Sequence, residues 1–150
     1  MLRKRSVFII IFSLLGGFLG TAVWAEQSKT FGDYVVHYNA FNTELLQPEI
    51  ARRYGIKRSK NRVMYNITIL KKVLQTTGQP VTAKVTGHAS NLNDQFKQLH
   101  PRKIVEGSAI YYIGDLRVTN KETLDFEFQI TPEGEKKPFH LKFRQQFFTK

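Results

Sequence analysis

Between residues 124 and 143 apolar and polar side chains alternate almost without a break. Leu124, Phe126, Phe128 and Ile130 are separated by Asp125, Glu127 and Gln129. After the stretch 131–138 the chain returns as Phe139, Leu141 and Phe143, with His140, Lys142 and Arg144 between them. A period of two puts every second side chain on one face of an extended strand and cannot make one apolar face of a helix. Two such runs joined by a Gly-containing loop predict a hairpin. Its acidic strand, with Asp125 and Glu127, faces a basic return strand with Lys142 and Arg144. Opposite-charge pairs of that kind contribute about 0.2–1 kcal/mol each and favour one register.

The same period recurs upstream. In 31–41, Tyr34, Val36, Tyr38 and Ala40 oppose Asp33, Val35, His37 and Asn39. In 63–73, Val63, Tyr65, Ile67 and Ile69 oppose Met64, Asn66, Thr68 and Leu70. Gly78-Gln79-Pro80 is a turn, after which Val81, Ala83, Val85 and Ala89 line a strand interrupted at Gly87, a sign of a bulge or a close backbone approach. Residues 90–102 form a polar loop, with Phe96 and Leu99 available to tack it down, and 109–118 form a further strand. Only 45–54 suits a helix, with Pro48 near its first turn and Gly55 placed to end it. About six strands and one short helix predict an all-β fold, a two-sheet antiparallel sandwich that is immunoglobulin-like in architecture; a half-open barrel is the alternative.

Composition limits the chemistry. The chain has 150 residues, no cysteine, 41% hydrophobic and 13% aromatic residues, and a net charge of +11. It is too apolar for a disordered polyelectrolyte and too short for a second sizeable core. Without cysteine there is no disulfide, thiolate metal site or thiol nucleophile.

The first 25 residues read as an address. Arg3, Lys4 and Arg5 precede an uncharged apolar run over 7–23, which ends at Val23-Trp24-Ala25 before Glu26. Basic start, apolar run and small-residue site stand in the order of a cleaved signal peptide, with the cut between Ala25 and Glu26. A retained anchor is the alternative, but the run is at the short edge of what spans a bilayer and contains Gly16, Gly17 and Gly20. Cleavage leaves 26–150 as a single β-sandwich domain with no stable membrane anchor. It removes three basic residues and no acidic one, lowering the charge from +11 to +8.

Catalytic motifs are missing. There is no Gly-x-Ser-x-Gly, no Gly-rich phosphate loop and no His-Glu-x-x-His, and no two of His37, His88, His100 and His140 lie within four residues of each other. Asp33 and His37 share a predicted strand face but would stand roughly 13 Å apart, too far for an acid–base pair. We expect no enzymatic activity, no cofactor and no metal.

One cluster asks for a partner. Arg52, Arg53, Lys57, Arg58, Lys60 and Arg62 put six cations in eleven residues without an acid among them. Four are arginines, which form bidentate contacts to phosphate or carboxylate. Export argues against nucleic acid and for an envelope protein or an anionic envelope component. The alternative is a solvated positive surface that aids solubility.

The stretch Phe31-Gly32-Asp33-Tyr34-Val35-Val36-His37-Tyr38-Asn39-Ala40-Phe41-Asn42-Thr43, followed by Pro48-Glu49, Tyr54-Gly55-Ile56 and Arg58-Ser59-Lys60-Asn61-Arg62, resembles a family of small exported proteins of Gram-negative bacteria, domain of unknown function 4426. The resemblance covers nearly all of 26–150. It implies a periplasmic location and a single β-rich domain, and it brings no catalytic residue or cofactor.

From these residues we expect a periplasmic accessory or binding module. Its candidate sites are the basic run, Arg52 to Arg62, and the strand face around Asp33 and His37. A small-molecule or hydrolytic site near His88 and His100 is a second expectation, and edge-strand addition to a partner a third.

Overall fold

A computed structural model describes residues 27–150; the expected signal peptide and its cleavage site at Ala25 and Glu26 lie outside them. Ten strands and one α-helix follow one another as β1 (Gln27–Phe31), β2 (Tyr34–Asn42), α1 (Pro48–Tyr54), β3 (Arg62–Lys71), β4 (Gln79–Pro80), β5 (Ala83–Asn91), β6 (Phe96–Leu99), β7 (Arg102–Glu106), β8 (Ala109–Arg117), β9 (Glu122–Pro132) and β10 (Phe139–Phe147). A single 3-10 turn, Thr43–Leu45, precedes α1. One sheet has the order β1-β2-β3-β8-β7 with β4 added beside β3, and the other has β10-β9-β5-β6. All pairings are antiparallel. The two-sheet sandwich expected from the alternation is therefore what forms.

The final hairpin keeps its expected register. Asp125 stands opposite Arg144 and Glu127 opposite Lys142. The first pair is bidentate, with Arg144 Nε donating to Asp125 Oδ1 at 2.6 Å and Nη2 to Oδ2 at 2.7 Å. On the opposite face Leu124, Phe126, Phe128, Ile130, Leu141 and Phe147 are buried. They meet Val36, Val63, Tyr65, Ile67 and Ile69 of the other sheet in one core. Aromatic rings carry the contact between layers: Tyr38 and Phe143 stack with centroids 4.7 Å apart, and Tyr65 sits 5.3 Å from Phe128.

Two close approaches set the spacing inside this core. A Cβ on Gly87 would lie 2.5 Å from Phe128 Cδ1 and 2.7 Å from the Glu127 carbonyl oxygen, so the expected close approach at this position is real. A Cβ on Gly114 would fall 2.0 Å from the Tyr65 hydroxyl oxygen.

The structure corrects several local expectations. The stretch 31–41 is not one strand: Gly32, with φ of 56°, turns the chain so that Phe31 pairs with Tyr34. Glycine at the first position of a two-residue loop is the usual requirement for such a hairpin. The loop 90–102 contains β6, and β7 follows it; Leu99 is buried, whereas Phe96 points outward and stacks on His88. The helix starts at Pro48 rather than at 45, because 43–45 winds as a 3-10 turn and Pro48 supplies the first helical position. Gly55 ends it in the left-handed conformation.

The outer face of the larger sheet is also packed, which the alternation did not reveal. Ile56, Met64 and Ile113 form a second small core beneath α1, joined by Phe41, Leu46, Tyr54, Ile104 and Tyr111. Thr43 pins this cover: its hydroxyl donates to the Lys57 carbonyl at 2.8 Å and accepts from the Ser59 amide at 2.9 Å.

At the other open side of the sandwich, Lys97 of β6 donates to the Arg117 carbonyl at 2.8 Å and to Glu122 Oε1 at 2.9 Å. Glu122 also accepts from Asn91 Nδ2 at 3.1 Å and from the Thr119 amide at 2.8 Å. Burial works against its charge, but the bonds from Lys97, Thr119 and Asn91 outweigh burial and hold the carboxyl below the usual range. A carboxyl lowered on folding stabilises the protein above its unfolded pKa of about 4.3, and that contribution is lost as pH falls through the folded value. Glu122→Gln should therefore cost about 1.5–3 kcal/mol near pH 7, or roughly 5–10 °C in Tm, and much less near pH 3. Equal losses in thermal melts at the two pH values would show that the charge is not what matters.

Candidate ligand-binding face

The six cations of the basic run are only partly available. Arg52 and Arg53 lie on α1, Lys57, Arg58 and Lys60 on the loop after it, and Arg62 opens β3. Arg53 pairs with Glu106 at 3.5 Å. Arg62 Nε donates to Asp115 Oδ2 at 2.6 Å, and Arg58 Nη2 donates to the Glu44 carbonyl at 2.8 Å. Arg52, Lys57 and Lys60 keep side-chain ammonium or guanidinium groups with no partner among the described residues. The run thus serves first to fasten α1 and its loop over the outer face of the larger sheet.

Asp33 and His37 are separated by the fold. Asp33 sits in the β1–β2 turn and lines a hollow with Val35, Lys72 and the 73–78 loop. His37 lies within β2, between Ser28 and Thr68 on the flanking strands.

The smaller sheet brings together residues that the sequence keeps far apart. Its antiparallel pairing sets Gln98 opposite His88, His88 opposite Glu127, and Glu127 opposite Lys142. One step along, Thr86 faces Gln129 and Gln129 faces His140. All point away from the core, because residues 87, 89, 126, 128 and 141 of the same strands point into it. Around them is an open hollow of about 180 Å³, lined by Thr86, His88, Gln98, Glu127, Gln129, His140 and Lys142 among others. Phe96 stacks on His88 with centroids 4.6 Å apart and rings inclined by 23°, making an aromatic platform at its side.

This face offers hydrogen-bond donors and acceptors beside an aromatic stack. Gln98 Nε2 donates to the Gly87 carbonyl at 2.9 Å and to the Leu99 carbonyl at 3.3 Å, so its amide N–H groups are engaged within the sheet. The Glu127 carboxylate is held by Lys142 Nζ at 3.0 Å rather than by a histidine. His100, expected beside His88, instead lies exposed between β6 and β7, and His140 takes its place. Among the described residues, no group of three or more His, Asp and Glu side chains is placed to hold a metal ion. The register of β5 on β9 was the missing signal, since alternation assigns 86, 88, 127, 129, 140 and 142 to outer faces without saying that they share one.

Among the described residues no helix is long and apolar enough to cross a membrane. No curated protein matches the chain significantly. Solved structures do. FetP of uropathogenic Escherichia coli, isolated after recombinant expression in the periplasm, is 13% identical with a TM-score of 0.55 over 83% of this chain and 95% of that one. A copper-bound variant of FetP superposes equally well. At that identity the likeness is one of fold. A crystal structure of a DUF4426 family protein from Pseudomonas aeruginosa is 35% identical with a TM-score of 0.72, covering 82% of this chain and 94% of its own. The family model for the domain of unknown function DUF4426 matches residues 28–150, and with it the resemblance carried by the first strand and the basic loop becomes a membership: the chain belongs to the DUF4426 family.

Proposed function

We propose that this protein is a non-catalytic binding module of the cell envelope whose ligand lies on the outer face of the β10-β9-β5-β6 sheet. The observation that carries this reading is the convergence of polar side chains from four strands on one hollow beside the His88–Phe96 stack. Amide, imidazole, carboxylate and ammonium groups together offer both donors and acceptors, and the flat aromatic surface offers apolar contact. That combination suits a polyhydroxylated ring, so the ligand class is a glycan. Residence in the envelope is supported by the basic start and apolar run of the first 23 residues.

The test is a titration of residues 26–150 with soluble glycan fragments released from peptidoglycan, followed by amide shifts in NMR spectra. The side-chain amides of Gln98 and Gln129 should move saturably, and Gln129→Ala together with His140→Ala should weaken binding at least tenfold. A triple change of Arg52, Lys57 and Lys60 to Ser should leave that binding intact.

A second reading is contact between the basic run and an acidic envelope protein or anionic component. It is supported by the unpartnered heads of Arg52, Lys57 and Lys60. Such binding would fade with salt, as the screening length falls from about 10 Å at 0.1 M to about 3 Å at 1 M. Glycan binding that vanishes in the triple variant and at high salt would transfer the function to this surface.

A further inference from the structure

The larger sheet ends in β7, a five-residue strand with β8 on one side and, among the described residues, no strand on the other. An open edge is a row of backbone donors and acceptors ready to pair with another strand. β7 reads Arg102-Lys103-Ile104-Val105-Glu106, and Val105 is 60% exposed. Ile104 belongs to the second core beneath α1, so Arg102, Ile104 and Glu106 share the outer face of the sheet.

This strand is complementary to itself. Laid antiparallel against a second β7 and centred on Ile104, Arg102 stands opposite the partner's Glu106 and Glu106 opposite the partner's Arg102. Residues directly opposite in such a pair lie on one face with Cβ atoms roughly 4.5–5.5 Å apart. Two ion pairs therefore flank an Ile104–Ile104 contact. On the inner face Val105 stands beside the partner's Lys103, whose alkyl stem covers it.

The other three edges lack this property. Centred on Phe143, two β10 strands would set Lys142 against Arg144, like charges that repel. β1 carries a single charge, Lys29, which meets itself in the centred register. β6 has four residues, and its one charge, Lys97, is spent on Glu122. Nor are the two β7 charges used up. Arg102 donates to the Tyr54 carbonyl through one of five N–H groups. Glu106 meets Arg53 at 3.5 Å, with those side chains 38% and 61% exposed, and also bonds the Tyr54 hydroxyl. A carboxylate has about four acceptor positions, and an exposed pair as long as this one holds it weakly.

We infer that two copies of this chain associate edge to edge through β7, joining their larger sheets into one about a two-fold axis normal to the sheet. The same patch serves both copies, as a two-fold interface requires. Five residues a side make a small contact beside the roughly 1,200–2,000 Å² of a stable interface, so the dimer is a weak one. With the axis in that direction, the outer faces of both smaller sheets turn the same way. If those faces bind glycan as proposed above, a polymeric glycan would engage both copies at once.

Sedimentation equilibrium of residues 26–150 should show reversible dimers with a dissociation constant below about 1 mM. Arg102→Glu alone and Glu106→Arg alone should each weaken self-association at least tenfold, because each sets like charges opposite one another in both outer pairs. An equimolar mixture of the two variants should associate again, since every outer pair is then of opposite charge. The double variant, Arg102→Glu with Glu106→Arg, should dimerise like the parent and serves where a single change disturbs the fold. A parent that stays monomeric up to that concentration overturns the inference. So does a dimer untouched by either single change, or one that neither mixing nor the double variant restores. No glycan enters the measurement, so a negative result leaves the glycan reading as it stands.

Discussion

Gly114→Ala should destabilise the protein by about 3 kcal/mol and lower its Tm by roughly 10 °C, a large loss for one added methyl group. Gly114 lies in β8 beneath Tyr65, and a Cβ there would meet the phenol oxygen at 2.0 Å and Cζ at 2.4 Å. Tyr65 cannot swing aside, because it is fully buried against Phe126 and Phe128. Its hydroxyl has no satisfactory hydrogen bond, and burial pushes the phenol well above its ordinary range. Removing the oxygen alone should therefore cost little: Tyr65→Phe is expected to melt within about 2 °C of the parent. It should not rescue Gly114→Ala, since Cζ remains too close. Tyr65→Leu opens the space at a cost of about 2–3 kcal/mol by itself, and with Gly114→Ala it should lose clearly less than the sum. Strict additivity in that double-mutant cycle would refute a direct clash. Gly87→Ala offers no such relief, because one of its neighbours is the Glu127 backbone oxygen at 2.7 Å.

Phe126→Ala is expected to cost about 3–5 kcal/mol, enough to consume much of the stability of a domain this size. Phe126 has no exposed surface. Its ring stacks on Phe143 of the neighbouring strand at 4.7 Å and approaches Phe147 and, across the sandwich, Tyr65. Deletion removes both the transfer free energy and these ring contacts, and the β-sheet backbone on either side cannot close the gap. Phe126→Leu retains much of the volume and should lose less than half as much. Urea denaturation of the two variants checks this: similar midpoints for Ala and Leu would mean that the core repacks freely around position 126.

Much of the architecture was readable because it follows from side-chain alternation. The 124–143 hairpin, its ion pairs, the strand expected over 63–73 and the proline start and glycine stop of the helix all rest on contacts between residues close in sequence or on single-residue backbone preferences. The strands that escaped notice are those in which side chains carry little information. In β1, Gln27 to Thr30 are exposed, and β7 is mostly charged or half-buried. Such edge strands are held by backbone hydrogen bonds, which any sequence can make once a neighbour is in place. The second core beneath α1 was hidden too: Met64 and Ile113 lie on the face of the larger sheet turned away from the smaller one, and alternation alone does not say that α1 and its loop return to pack there.

The candidate sites divide along the same line. From the residues alone came an all-β domain without cysteine, a dense basic run and the absence of known catalytic spacings, because composition and local order decide those. Which residues meet was decided by the fold. Arg62 finds Asp115, Arg53 finds Glu106, and His88 and His140 line one hollow on either side of β9 only because β3 lies beside β8 and β5 beside β9. Those pairings join segments separated by about forty to fifty residues, and they are selected by how well two whole apolar faces bury each other. No local pattern encodes that choice, since every strand of the chain offers the same unpaired backbone groups to its neighbours.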